Sequence, residues 1–103
     1  MEITNSGDRM TVTLSGELDH HALKTMRGTI DAQIEQYTPK VLVLDFAGVG
    51  FMDSSGIGLI LGRRRIAESF GGLVVITGAS GYVEKLINLA GLSPMIMRRE
   101  LKL

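Results

Sequence analysis

The side chains best placed to do chemistry form one cluster, in which an aspartate precedes two serines: Asp53, Ser54 and Ser55. They open the stretch FMDSSGIGLILGRRR, an apolar segment with interspersed glycines and a closing run of arginines. A serine in this setting can be a nucleophile, a ligand for a bound phosphate, or a hydroxyl that another enzyme phosphorylates. The spacing of the surrounding residues and the neighbouring strands and helices distinguish these kinds of site.

Two of these interpretations fit the spacing poorly. A hydrolase nucleophile elbow needs glycine two residues before and two residues after the serine, and neither Ser54 nor Ser55 has both. Gly56, Gly58 and Gly62 approach a dinucleotide fingerprint, but that fingerprint starts directly at a strand end and needs an acid about 20 residues further on. Because the glycine spacing still matches the fingerprint in part, a small-ligand or nucleotide-binding module remains an alternative. Gly58 and Gly62, one helical turn apart, are better explained by a close approach of the helix to a sheet.

The other polar clusters are typical of a solvated surface. His20 and His21 are adjacent, so on a helix they point in directions about 100° apart and predict no shared metal ion. The arginine run 63–65 fans around more than half of a helix and predicts a solvated face, with a partner contact as the alternative. Eleven basic and eleven acidic residues balance, which argues against a nucleic-acid partner.

The DSS cluster must be positioned by regular elements before and after it. Alternation at residues 10–14 and turn-forming residues at 5–8 predict an N-terminal β-hairpin. Apolar runs predict buried, parallel strands at 41–46 and 73–77, and 95–97 is a candidate for a last short strand. Helical spacing predicts helices from Asp19 to about Tyr37, from Ser54 or Ser55 to about Phe70, and after Ser80.

This alternation of strands and helices predicts one α/β domain over residues 1–103. We expect a largely parallel sheet of four to five strands with amphipathic helices packed on it. The segments 16–20, 47–55 and 78–80 each follow a strand and precede a helix, so they meet at the carboxyl edge, where open α/β sheets bind their ligands. Asp19, and either Asp53 or one of the serines after it, are expected to cap the helices that follow.

A serine at such a helix start is exposed and oriented for modification. A phosphate there would meet backbone N–H groups and the positive end of the helix dipole. A protein bound over the same spot would have to desolvate about two negative charges beside Asp53. The residues thus predict a switch that preserves the fold and abolishes a contact, although they do not rank Ser54 above Ser55.

Composition limits the compartment and the chemistry further. The absence of cysteine excludes disulfides and thiolate sites and is compatible with the cytoplasm. The N-terminal residues lack the apolar core of a signal peptide, and no run approaches the ~20 apolar residues of a membrane span. We therefore expect a cytoplasmic protein that contacts neither membrane nor nucleic acid and uses no cofactor.

Three segments carry a family resemblance: GELDHH at 16–21, FMDSSGIGLILGRR at 51–64 and GGLVVIT at 71–77. Together they resemble the anti-sigma factor antagonists, the small STAS-domain proteins of Gram-positive bacteria, and in particular the sporulation members. The resemblance spans nearly the whole chain in matching order. It implies a STAS-type fold and a non-enzymatic regulator whose unphosphorylated form binds an anti-sigma factor and frees the sigma factor, sigma F in sporulation. A general-stress antagonist is the alternative within the family.

The resemblance also implies partners and a site. In this family the anti-sigma factor is also a serine kinase that uses ATP to phosphorylate the serine after the motif aspartate, which is Ser54 here, and a PP2C-type serine phosphatase removes the phosphate. The surface expected to bind the partner comprises Asp19, His20, Asp53, Ser54, Ser55 and Gly56. Members usually carry a further C-terminal helix. Residues 97–103 are too few to form it in full, a difference that bears on partner choice and on packing at the sheet edge.

Overall fold

A four-stranded sheet with the order β1-β2-β3-β4 forms the frame of the protein. The computed structural model describes residues 1–97. The strands are β1 (Glu2–Ser6), β2 (Arg9–Leu18), β3 (Val41–Met52) and β4 (Leu73–Thr77). β1 pairs antiparallel with β2, whereas the other two pairings are parallel. The predicted N-terminal hairpin is confirmed, and its turn contains Gly7 at a φ of +62°, a conformation that glycine adopts without strain.

Three α-helices follow the parallel strands. α1 (His20–Tyr37) links β2 to β3, α2 (Ser54–Ser69) links β3 to β4, and α3 (Gly81–Leu89) follows β4. Connections between parallel strands are right-handed, and both crossovers advance in the same direction across the sheet, so α1 and α2 lie on one face and touch each other. α3 contacts β3 and α2. The predicted α/β architecture is therefore confirmed.

Alternate side chains of the parallel strands form the core beneath the helices. The strand register aligns Met10 with Leu42, and Leu42 with Val74, and all three are buried. Leu59 and Ile60 of α2 are fully buried in the same cluster. Burying a side chain of this size stabilises the fold by about 1.5–3 kcal/mol. This packing fixes how the helices cross the sheet and where their first turns lie.

β3 is longer than the sequence predicts. Only residues 41–45 pair with β4, and residues 47–52, expected to be a loop, continue β3 and pair with residues 15–18 of β2. Two register shifts, between Thr13 and Ser15 and between Gly16 and Glu17, allow this pairing to continue to the strand ends. The prediction failed because the glycines and alanine of this segment lack strand propensity, and pairing with β2 overrides that preference. The β2–β3 pair consequently projects beyond β4.

The C-terminal part differs from the predicted last strand. A 3₁₀ turn occupies Ser93–Met95, and Ile96 forms a single parallel bridge with Ile76. The backbone N–H of Met97 donates to the carbonyl of Ile76 at 2.7 Å. Pro94 lies at the start of the 3₁₀ turn, where its fixed φ and missing N–H favour a turn over a strand. Of residues 97–103, which are too few for the family's further C-terminal helix, residues 98–103 lie outside the described residues.

The close approach expected at Gly58 and Gly62 occurs instead at Gly56. A Cβ on Gly56 would meet the side chain of Met52, which is fully buried. At Gly58 and Gly62 a Cβ would meet nothing within 4 Å. The prediction was wrong because α2 comes closest to its surroundings in its first turn, where the chain folds back over the end of β3.

The arginine run does not form a uniformly solvated face. Arg63 is only 6% exposed, and its Nε lies 2.9 Å from Oδ1 of Asp31 on α1. The Nε–H bond of Arg63 does not point at this oxygen, so the contact is not a hydrogen bond. The hydrogen bond between the two side chains runs from Nη2 of Arg63 to Oδ2 of Asp31, at 3.4 Å. Burial lowers the pKa of Arg63 from its ordinary value, Asp31 opposes this shift, and Arg27 adds to it. Arg63 therefore joins α1 to α2 by an ion pair, while Arg64 pairs with Glu68 on the exposed face of α2.

Candidate functional site

Two aspartates cap the helices that begin at the carboxyl edge of the sheet. Asp19 is the N-cap of α1, and its Oδ1 accepts a hydrogen bond from the N–H of Ala22 at 2.8 Å. Asp53 is the N-cap of α2, and its Oδ1 accepts from the N–H of Ser55, also at 2.8 Å. The carboxylates thus satisfy N–H groups that an uncapped helix leaves without partners. The cap predicted at Asp19 is confirmed, and at the second helix the cap is the aspartate and not a serine.

The two caps lie side by side because β2 and β3 end in register. Leu18 and Met52 are register partners, and each directly precedes its capping aspartate. One further hydrogen bond continues the β2–β3 pairing, from the N–H of Asp53 to the carbonyl oxygen of Leu18 at 3.4 Å. Neighbouring strands lie about 4.8 Å apart, so the starts of α1 and α2 emerge next to each other. The structure therefore brings together the segments around Asp19 and Asp53, as the sequence predicts.

Ser54 is the exposed member of the serine pair. It is the first residue of α2 and faces solvent, while Ser55 is half-buried and donates its N–H to Asp53. Gly56 is buried against Met52 and gives its N–H to the carbonyl of Asp53 at 2.9 Å. Gly56 therefore contributes to the predicted partner surface by holding the helix start close to β3, since it presents no side chain outward. The local fold leaves Ser54 as the accessible hydroxyl.

His20 lies beside this pair of helix starts as the first residue of α1, exposed like His21 after it. Among residues 1–97, no three side chains of His, Cys, Asp or Glu come together in a way that could hold a metal ion. The exposed Glu17 and the half-buried Asp19 and Asp53 make the edge around Ser54 acidic. The positive ends of α1 and α2 lie under these carboxylates and offset part of their charge.

An aromatic pair that the sequence analysis did not identify lies close to the serines. The rings of Phe51 and Tyr82 stack with centroids 6.0 Å apart and an angle of 6° between their planes. Phe51 belongs to the end of β3 and Tyr82 to the first turn of α3. The exposure of Phe51 could have been predicted from strand alternation. Met52 next to it points into the core, so Phe51 points away from the core. Nothing in the sequence places Tyr82 near it, since the contact depends on how α3 packs beside β3.

A groove of about 380 Å³ lies at the opposite end of the sheet. Its walls come from the last turns of α2, the start of β4 and the 3₁₀ segment, and include Glu68, Leu73 and Met95. Because α2 and β4 run between the two edges, this groove is remote from Ser54.

No helix within residues 1–97 has both the length and the apolar character needed to cross a membrane.

Known proteins resemble this chain in sequence and in fold. The STAS domain family matches residues 1–103. The anti-sigma F factor antagonist of Lysinibacillus sphaericus is 39% identical over 90 residues, which make up 87% of this chain and 77% of that protein. The solved structure of the anti-sigma factor antagonist SpoIIAA in its unphosphorylated form matches with a TM-score of 0.85 and 34% identity, covering 96% of this chain and 89% of that one. The phosphorylated form of the Bacillus cell fate determinant SpoIIAA matches with a TM-score of 0.77 and 33% identity, covering 96% and 92%.

Proposed function

The chain belongs to the anti-sigma factor antagonists of the STAS domain family, and from this membership we propose that it is a partner switch controlled by phosphorylation of Ser54. The unphosphorylated protein binds an anti-sigma factor and releases the sigma factor. The 39% identity to an anti-sigma F factor antagonist supports sigma F as the factor released. The protein itself catalyses no reaction in this scheme.

The observation that carries the proposal is the position of Ser54. It is the first residue of α2, exposed, and adjacent to the caps of two helices at the carboxyl edge. Ser55 is half-buried and therefore less accessible. An enzyme that approaches this edge therefore meets the hydroxyl of Ser54 first. This supports the assignment of Ser54, which sequence reasoning from the residues alone could not separate from Ser55.

The chemistry of the switch needs a kinase and a phosphatase from outside the chain. The anti-sigma factor, acting as a serine kinase, transfers the γ-phosphoryl group of ATP to the Oγ of Ser54, ADP leaves, and the hydroxyl proton passes to the kinase. A PP2C-type phosphatase hydrolyses the phosphoserine and restores the hydroxyl. We place both steps in the cytoplasm, where sigma factors meet RNA polymerase.

Electrostatics explain how the phosphate would abolish binding without unfolding the protein. A phosphate at the first residue of α2 lies at the positive end of the helix, where a negative charge is favourable by about 0.3–1 kcal/mol. A partner covering the same edge would have to strip water from about two added negative charges that lie beside Asp53. A loss of about 3 kcal/mol of binding free energy weakens the complex more than a hundredfold.

The modification is tested with the purified anti-sigma factor of the same organism, ATP and Mg²⁺. Intact mass should rise by a single phosphate, and peptide mapping should locate it on Ser54. Ser55→Ala serves as the matched control and should still be modified, whereas Ser54→Ala should not. Phosphate found only on Ser55, or saturable nucleotide binding without modification, would contradict the proposal. The second result would instead favour a nucleotide-binding module.

Binding is tested by titrating the same anti-sigma factor with each form. Wild type and Ser54→Ala should bind with similar affinity, and phosphorylated wild type should bind at least a hundredfold more weakly. Ser54→Asp should bind poorly while its melting temperature stays near that of wild type. Equal affinity of the phosphorylated and unphosphorylated proteins would refute the switch.

A further inference from the structure

The stacked pair of Phe51 and Tyr82 remains open to solvent although the two rings cover each other. Phe51 is 42% exposed and Tyr82 is 56% exposed. Both rings sit on rigid supports, because Phe51 is paired with Glu17 across the β2–β3 ladder and Tyr82 belongs to a helix. An aromatic side chain that is already held in place loses little conformational freedom when a partner covers it.

The aromatic pair begins three residues before Ser54 in the chain, within reach of a protein bound at that serine. Phe51 precedes Ser54 by three residues, so their Cα atoms are at most about 10 Å apart. A standard protein interface buries about 800 Å² on each partner, which corresponds to a patch of roughly 16 Å radius. An interface of that size centred on Ser54 therefore extends to the position of Phe51, and Tyr82 continues the same aromatic surface because the two ring centroids lie 6.0 Å apart.

We propose that Phe51 and Tyr82 form a docking contact for the anti-sigma factor, separate from the phosphorylated residue. This inference rests on the proposed function and adds two residues to it, Phe51 on β3 and Tyr82 on α3, which both lie outside the surface predicted from the sequence. Tyrosine is among the residues whose truncation most weakens binding at protein interfaces. The rings touch neither the transferred phosphoryl group nor its acceptor oxygen, so they contribute to holding the partner and not to the transfer itself.

The test compares two tyrosines on the same protein. Tyr82→Ala removes the outer ring of the pair, and Tyr82→Phe keeps it. Tyr37→Ala is the matched control, because Tyr37 is 49% exposed at the last position of α1, about 27 Å along the helix from the carboxyl edge. For each variant, the Kd for the organism's own anti-sigma factor and the KM and kcat of Ser54 phosphorylation are measured.

Tyr82→Ala should raise both Kd and KM about tenfold, with kcat and the melting temperature close to wild type. Tyr82→Phe and Tyr37→Ala should behave like wild type. If wild type binds and is phosphorylated but Tyr82→Ala does so equally well, the docking contact is refuted while the switch stands. If wild type is not phosphorylated at all, the switch itself fails. A change in self-association with an unchanged Kd would show that the pair is a contact between copies of this chain, and would also refute the proposal.

Discussion

Two glycines in the same helix are expected to respond in opposite ways to the same substitution. Gly56 and Gly58 both lie in the first two turns of α2, and alanine favours a helix over glycine by about 1 kcal/mol at either position. A Cβ at Gly58 would meet nothing within 4 Å, so Gly58→Ala should stabilise the protein by up to that amount. A Cβ at Gly56 would occupy space now taken by Cγ and Sδ of Met52, whose side chain is fully buried.

The magnitude follows from the difference between the two variants. The helix-propensity gain is common to both, so it cancels, and what remains is the cost of crowding a filled site. Overpacking of this kind costs about 1–3 kcal/mol. Gly56→Ala should therefore be neutral to destabilising by about 2 kcal/mol relative to wild type. In a domain of this size each kcal/mol moves the melting temperature by about 4–8 °C, so the two variants should differ by several degrees or more.

The assay is urea unfolding together with thermal melting of wild type, Gly56→Ala and Gly58→Ala. A double-mutant cycle then identifies the cause. In a Met52→Ala background the space is free, so Gly56→Ala should no longer be destabilising. Because the two residues are in contact, their effects should be non-additive. An equal cost of Gly56→Ala in both backgrounds would refute the packing argument, and so would equal melting temperatures of the two single variants.

Other perturbations test the remaining contacts. Asp31→Ala leaves Arg63 without its counter-charge and should cost about 1–3 kcal/mol in urea unfolding, because Asp31 is one-third exposed and water can partly replace it. This cost should exceed that of Arg63→Met, which removes the buried charge; the reverse order would show that the ion pair is not what stabilises this site. Asp19→Ala should lower stability by about 1 kcal/mol, whereas Asp19→Asn should not; if Asp19→Asn also binds the anti-sigma factor like wild type, Asp19 is a cap and nothing more. Thr38 ends α1 at a φ of +37°, so Thr38→Asn should raise the melting temperature, because asparagine tolerates this conformation better than a β-branched residue. Phosphorylation of Ser54 should change amide chemical shifts near the start of α2 only, and large shifts across the sheet would indicate a conformational mechanism.

Much of the fold followed from local patterns. The hairpin, the helices and the buried parallel strands each have a periodicity that a single segment displays. The extension of β3 beyond Asp45 did not, because its glycines pair with β2 only through bulges that depend on both strands. The last strand predicted at 95–97 is too long. Pro94 favours a turn, so only a single bridge forms, at Ile96.

The candidate site was predictable to a similar degree. Asp19 and Asp53 lie in segments that follow predicted strands and precede predicted helices, so sequence alone could place both at one edge of the sheet. The exposure of Ser54 relative to Ser55 depends on how α2 leaves the sheet, which the sequence does not specify. The burial of Arg63 and the stacking of Tyr82 depend on the packing of one helix against another element. Such contacts between distant segments leave no local periodicity.

The order of the strands in the sheet has a consequence for how the protein is made. Every strand pairs with its neighbour in the sequence, so the spatial order β1-β2-β3-β4 repeats the order of synthesis. Each new strand therefore finds its partner already present, and each connection that closes spans at most one helix. The entropy lost in closing a loop grows with its length, so these single-helix crossovers cost less to close than connections to strands further along the chain would. The chain can therefore acquire its structure progressively as it leaves the ribosome, with the edge that carries Ser54 complete once β3 and the first turn of α2 have emerged.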